Sequence, residues 1–153
     1  MPWYTKIIFA SGHFLNALCW AVWFPYNVTF FTKVLELPSN IAGDIIITAQ
    51  VFGAFSLPFI GAWSDQTQLK KFGRRKIFHL LGMVATAISF FFIWHECITC
   101  TNAPPAYQAL YFASFAVVFV FGWCAIVVAQ LSLIPELAPN KQTIVQLNAL
   151  RYC

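Results

Sequence analysis

Pro58-Phe-Ile-Gly61-Ala-Trp-Ser-Asp65-Gln-Thr-Gln-Leu-Lys-Lys-Phe-Gly73-Arg74-Arg75-Lys76 is the stretch on which the reading of this chain turns. An acid closes one long apolar run. A short turn follows, then a glycine, then a basic cluster that opens the next apolar run. Five of the nine Lys/Arg fall between residues 70 and 76. Basic residues concentrated between two apolar runs mark the cytosolic face of a membrane protein. An acid and several Arg/Lys at that face can also form a charge network that latches neighbouring helices. Simple anchoring accounts for the Lys/Arg, but not for Gly61-x-x-x-Asp65 ahead of them or for the turn at Gly73.

Composition supports the membrane reading. The chain of 153 residues is 60% hydrophobic, 18% aromatic and 9% charged. Soluble domains carry roughly 25% charged residues. A core of this size cannot bury the surplus, and the bilayer is the natural solvent for it. The net charge of +4 does not point to nucleic acid, because its excess is confined to one loop rather than spread over a face.

Four stretches are long enough to cross a bilayer, which takes about 20 mostly apolar residues. They cover residues 7–31, 41–63, 77–94 and 107–133. The first exceeds the apolar core of a signal peptide and carries His13, Asn16 and Asn27. Lys6, the cluster at 70–76, Lys141 and Arg151 fall on one side of these spans, and only Lys33 falls on the other. The expectation is therefore an all-α membrane protein of four transmembrane helices with a cytosolic N-terminus. Its 2–3 loop (64–76) and tail (134–153) would also be cytosolic, and the lipid bilayer is its first partner.

The faces of the spans carry further information. In span one His13, Asn16, Trp20, Trp23 and Asn27 are spaced 3, 4, 3 and 4, so they share one helix face. Polar groups avoid lipid, so this face looks either onto a solute path or onto hydrogen-bonding helices. Span two aligns Gly43, Gln50, Ala54 and Gly61, a small-residue face suited to close approach. Pro58 is expected to kink or break that helix. Span three, with Phe90, Phe91 and Phe92 in a row, reads as a lipid-facing peripheral helix. In span four Gln130 is a candidate path or gate residue, with helix packing an equal reading.

Other chemistry finds little support. Cys97 and Cys100 form a CxxC in the outer 3–4 loop, either bridged or as two unpaired thiols. No second pair stands at zinc-site spacing, so no metal is expected. His79 and His95 read as interfacial. No phosphate loop, nucleophile elbow or paired catalytic acids are present, so neither catalytic residues nor a cofactor is expected. Asn27-Val-Thr29 matches a glycosylation sequon but lies within span one, out of reach of the modifying enzyme.

Gly61-x-x-x-Asp65 followed by Gly73-Arg74-Arg75-Lys76 resembles the cytosolic 2–3 signature of the major facilitator superfamily. With Pro58 ahead of it, the stretch is similar to the sugar–cation symporter branch (glycoside-pentoside-hexuronide:cation symporters). Three further segments resemble a eukaryotic subgroup of that branch: Gly12-His-Phe-Leu-Asn16, the outer Cys97-x-x-Cys100, and the run from Phe121-Gly-Trp123 through Pro135-Glu136 to Ala149-Leu-Arg151-Tyr152. The resemblance implies a partial N-terminal half of a twelve-helix transporter that works by alternating access. It implies a small polar solute, either a cysteine-like amino acid or a sugar moved by cation symport. It also implies a lysosome-related organelle, with the plasma membrane as the other location. Asp65 with Arg74, Arg75 and Lys76 would form a cytosolic latch framed by Gly61 and Gly73. Pro135, Glu136 and Arg151 would form its counterpart. His13, Asn16, Trp20, Trp23, Asn27, Gln50 and Gln130 would line the path.

Two departures stand beside the resemblance. The family carries cation-binding acids at positions that here are Ala17, Gly53 and Leu57, which removes the usual ligands for a coupling H+ or Na+. The chain also stops at Arg151-Tyr152-Cys153, where a fifth span would begin. The expectation is a fragment whose partners are the missing C-terminal helices, and a non-transporting four-helix adaptor or inactive truncated copy is the alternative.

Overall fold

The computed structural model describes residues 3–66, 74–97, 100, 104–138 and 140–151. Every regular element among them is a helix. Helix α1 spans Trp3–Thr29 and runs into a π-helical turn, Phe30–Val34. Helix α2 spans Ser39–Gln66, α3 Arg74–Ile93, α4 Pro105–Leu137 and α5 Lys141–Arg151. The expected stretches 41–63 and 107–133 fall inside α2 and α4, whereas 7–31 runs two residues past α1 into the π-helical turn and 77–94 runs one residue past α3. The segment 134–153 differs from the plain tail expected. Its first residues complete α4, and α5 folds back to pack on α1 and α4 with Leu147 fully buried.

Helix α4 is the spine. Its partners fix the direction of the others. His13 meets Gln130, Trp20 meets Trp123, Trp23 meets Phe119 and Phe31 meets Phe112. Numbers rise along α1 as they fall along α4, so the two are antiparallel. The same holds for α3, where His79 meets Gln130, Phe90 meets Phe119 and Phe92 meets Phe115. Helix α2 runs parallel to α4: Gly53 lies against Val120, and Trp63 near the end of α2 meets Phe78 at the start of α3, next to the His79–Gln130 contact. The helices thus alternate in direction. The start of α1, the end of α2, the start of α3 and the end of α4 share one end of the bundle.

The tightest seam joins α3 to α4. A Cβ on Gly82 would stand 2.8 Å from the Gly122 carbonyl oxygen, and one on Gly122 would stand 2.8 Å from Thr86 Oγ1. Backbones this close require glycine. Helix α3 buries one stripe there: Gly82, Thr86, Ser89 and Ile93. Its other face, with Leu80, Leu81, Val84, Ile88 and Phe91, is exposed. The uniform, peripheral helix expected here is exposed on that outer face only, and its other face is buried in the seam.

Helix α2 packs otherwise than its small-residue pattern suggested. Its buried stripe is Ala42, Ile45, Ala49, Gly53, Ser56, Ile60 and Ser64. A Cβ on Gly43 or Gly61 would meet nothing within 4 Å, whereas one on Gly53 would reach 2.6 Å from Val120 Cγ1. The close approach lies one face over because Ile45 and Ile60 supply apolar area that the Gly43–Gly61 face lacks. Nor does Pro58 end the helix, which continues to Gln66. Ser56 donates its hydroxyl to the Phe52 carbonyl at 2.6 Å, which satisfies this buried hydroxyl within its own helix.

The reversal between α1 and α2 is pinned by two buried side chains, Phe31 and Leu37. The Leu37 N–H donates to the Phe31 carbonyl at 3.0 Å. Glu36 between them takes a positive φ of 52°, which lets the chain turn in so few residues.

By length and composition, two helices among the described residues can cross a membrane, Ser39–Ser64 and Pro105–Pro135, and Ile77–Ile93 is a shorter apolar helix. Large apolar side chains are exposed on every helix from α1 to α4, among them Phe14, Phe24, Phe55, Phe59, Leu80, Phe91 and Leu110. Water does not tolerate such a surface, and lipid does.

The glycine seam yields a contrast. Gly122→Ala is expected to destabilise the bundle by about 1–3 kcal/mol through overpacking, while Gly43→Ala changes little. Thermal unfolding in detergent micelles checks both. Equal effects of the two substitutions would contradict the seam.

Candidate functional site

Polar groups in the bundle collect at one depth, where α1, α3 and α4 meet. Gln130 of α4 is 2% exposed and stands between two histidines. His13 Nδ1 of α1 donates to Gln130 Oε1 at 3.1 Å. Gln130 Nε2 donates to His79 Nε2 of α3 at 3.4 Å. One amide thus bridges three helices. A buried amide gains more from two such partners than it could from the apolar side chains around it.

One turn along α1, a cavity of about 380 Å³ opens between the same three helices. Asn16, Cys19, Met83, Thr86, Phe90 and Ile126 are among its walls. Asn16 and Thr86 are each 3% exposed, and Asn16 Oδ1 and Thr86 Oγ1 have no hydrogen-bond partner among the described residues. Both residues stand among the cavity walls, while their unpartnered oxygens are buried in the helix packing, Thr86 Oγ1 against Gly122, and carry a desolvation cost there.

The polar stripe of α1 faces α4. Trp20 stacks on Trp123 with ring centroids 4.1 Å apart, and Trp23 is fully buried against Phe119 at 4.9 Å. Asn27 is buried, and its Oδ1 and the Trp23 Nε1 lack partners among the described residues. Gln50 of α2 is half-buried. The structure brings His13, Asn16 and Gln130 together around the three-helix junction. Trp20, Trp23 and Asn27 continue the α1–α4 seam away from it.

The latch residues are placed only by their helices. Gly61 is half-buried on α2 and Pro135 is exposed on α4. Asp65 lies in the last turn of α2, Arg74, Arg75 and Lys76 open α3, Glu136 lies at the end of α4 and Arg151 closes α5. Their side chains, and Gly73 altogether, lie outside the described residues. At the opposite end of the bundle Cys97 and Cys100 are joined by a disulfide, with Cα atoms 5.2 Å apart. No group of three or more His, Cys, Asp or Glu is placed to hold a metal among the described residues.

Sequence reasoning missed His79 and Thr86. His79 is not an interfacial bystander, since it reaches the buried amide of Gln130. The signal was there: His79, Gly82, Thr86, Ser89 and Ile93 are spaced 3, 4, 3 and 4, the same rhythm that exposed the stripe on α1. Trp123 was missed as well, because half of a stacked aromatic pair has no signature of its own.

An antiparallel bundle of apolar helices, with a few polar groups converging at its midst, is the architecture of a membrane transporter unit. The profile of the MFS/sugar transport protein family matches residues 8–153, and the chain belongs to that family of membrane transporters. It is 42% identical over 149 residues to mouse Major facilitator superfamily domain-containing protein 12, covering 97% of this chain and 31% of the mouse protein. It is 39% identical to the human protein of that name, covering 97% and 32%. A symporter of Synechocystis is 27% identical over 97% of this chain and 27% of its own length. The chain therefore spans about a third of these relatives or less. No solved structure matches.

Among the described residues, the Trp20–Trp123 stack is the closest ring pair between α1 and the spine. Trp123→Ala is expected to cost about 2–3 kcal/mol, less than a fully buried tryptophan because Trp123 is half-buried. Limited proteolysis of the reconstituted chain should then cut α1 sooner than in the parent. An unchanged digestion pattern would count against the contact.

Proposed function

We propose that the chain is part of the N-terminal half of a secondary transporter that moves a small polar solute by alternating access. In this reading α1, α2, α3 and α4 all cross the bilayer, and the N-terminus, the segment after α2 and α5 face the cytosol. Three things support it. Family membership supports transport. The alternation of helix directions supports four crossings. The nine Lys/Arg, eight of which lie in sequence near the start of α1, between the end of α2 and the first turn of α3, or after α4, support the orientation.

The observation that carries the solute reading is the cavity between α1, α3 and α4, with the polar residues Asn16 and Thr86 among its walls. Its size suits a solute no larger than a sugar or an amino acid. The family description favours a sugar. The resemblance to the eukaryotic subgroup favours a cysteine-like amino acid in a lysosome-related organelle. His13, Asn16, Trp20, Trp23, Asn27, Gln50 and Gln130 serve as the path. Asp65, Arg74, Arg75 and Lys76 serve as the cytosolic latch, with Glu136 and Arg151 as its counterpart.

Stability and transport should move in opposite directions. Asn16→Leu and Thr86→Val each remove an unsatisfied buried group, so each should stabilise the chain by about 1 kcal/mol. Each should also reduce uptake of labelled cysteine or a labelled hexose into membranes that contain the chain. Unchanged uptake would remove the two residues from the path, and a loss of stability would show that their polar atoms are satisfied.

A further inference from the structure

The bridge His13–Gln130–His79 has a property that follows from donor and acceptor counting. An amide offers one accepting side and one donating side. In the arrangement described, Gln130 Oε1 takes a proton from His13 Nδ1 and Gln130 Nε2 gives one to His79 Nε2. Turned over, the amide would give to His13 Nδ1 and accept from His79 Nε2. In either orientation one of the two facing ring nitrogens carries hydrogen and the other does not. Both imidazoles can be neutral with the bridge intact. One can be an imidazolium with the bridge intact, because the added proton sits on the nitrogen facing away from the amide or is accommodated by turning the amide over. Two imidazolium rings would each present N–H to the amide, and one of the two bonds must break.

We propose that His13, Gln130 and His79 form a binding site for a single proton, in which Gln130 makes the two imidazoles share it. The site takes its proton from water at the basic end of the bundle. Binding one proton leaves α1, α4 and α3 tied together, and binding a second unties them. The sequence gives the site little competition. No Asp, Glu, Lys or Arg lies between Lys6 and Lys33, between Asp44 and Asp65, between Lys76 and Glu96, or between Glu96 and Glu136. The charged groups nearest in each chain segment are Lys6 on α1, Asp65 on α2, Arg74, Arg75 and Lys76 on α3, Glu136 on α4, and Lys141 and Arg151 on α5. Lys141 is exposed, and the side chains of the others lie outside the described residues. Basic groups predominate among them, which disfavours a second proton further. The use of the proton in coupled transport rests on the transporter reading; the existence of the site does not.

The test measures proton binding directly, without cargo. The full chain, labelled with 15N-histidine and reconstituted in lipid nanodiscs, is titrated by NMR. His95, which lies outside the bundle and bonds the Glu96 carbonyl, is the internal reference. His13 and His79 should titrate in two steps separated by about one pH unit or more, the mark of coupled groups. In Gln130→Leu the separation should collapse while His95 stays in place. A second variant covers the case in which Gln130→Leu loses its helical circular dichroism: His79→Gln should shift the titration of His13 and leave His95 unmoved. Independent titration of the two rings in the parent chain would overturn the site, as would a His13 step unaffected by His79→Gln. A chain that shows the coupled steps yet moves no solute would instead overturn the transporter reading and leave the site standing.

Discussion

The approach of α3 to α4 at Gly82 and Gly122 sets the geometry of everything around it. With no Cβ on either side, the two backbones come close enough for Gly122 to sit against Thr86. The same closeness brings His79, one turn before Gly82, within 3.4 Å of Gln130. A bulkier pair would push α3 outward, and the amide would keep only its partner on α1. A packing constraint between two small residues therefore determines which polar groups can meet. In lipid this is how helices associate at all, since apolar side chains gain nothing by leaving one hydrocarbon for another.

The unsatisfied atoms take their meaning from that frame. Asn16 Oδ1, Thr86 Oγ1, Asn27 Oδ1 and Trp23 Nε1 are buried without partners among the described residues. A domain selected only for stability would replace such groups by apolar ones. Retained in the interior of a transporter-family bundle, they are a stability cost that helix packing alone does not account for. Gly53 shows the opposite case. The family pattern implies an acid there, yet Val120 fills the space and the Cys124 thiol donates to the Gly53 carbonyl at 3.7 Å. Helix packing occupies that position.

Much of the fold was legible because the bilayer imposes simple rules. Apolar runs gave α1–α4 within a few residues, and the loop from Gly61 to Lys76 gave the family. The stripe on α1 was legible because its polar residues recur at helical spacing. Two things were not. The packing face of α2 was hidden because both of its candidate faces carry small residues, and only the neighbouring side chains decide between them. The role of His79 was hidden because a histidine near a helix end looks interfacial until the helix across from it is known. Helix α5 was missed for a similar reason, since its polar surface gives no apolar run and, among the described residues, Leu147 is its one buried side chain.

The central claim is that four helices alternating about α4 cross the membrane, with Tyr4, Gln66 and Asn140 at one face and Glu36 and Ala106 at the other. Single cysteines placed at these five positions, and probed with a membrane-impermeant maleimide in sealed, oriented vesicles, test it most directly. The account predicts that the first three label together from the cytosolic side and the other two only from the opposite side. Labelling of Glu36→Cys and Gln66→Cys from the same side would contradict it.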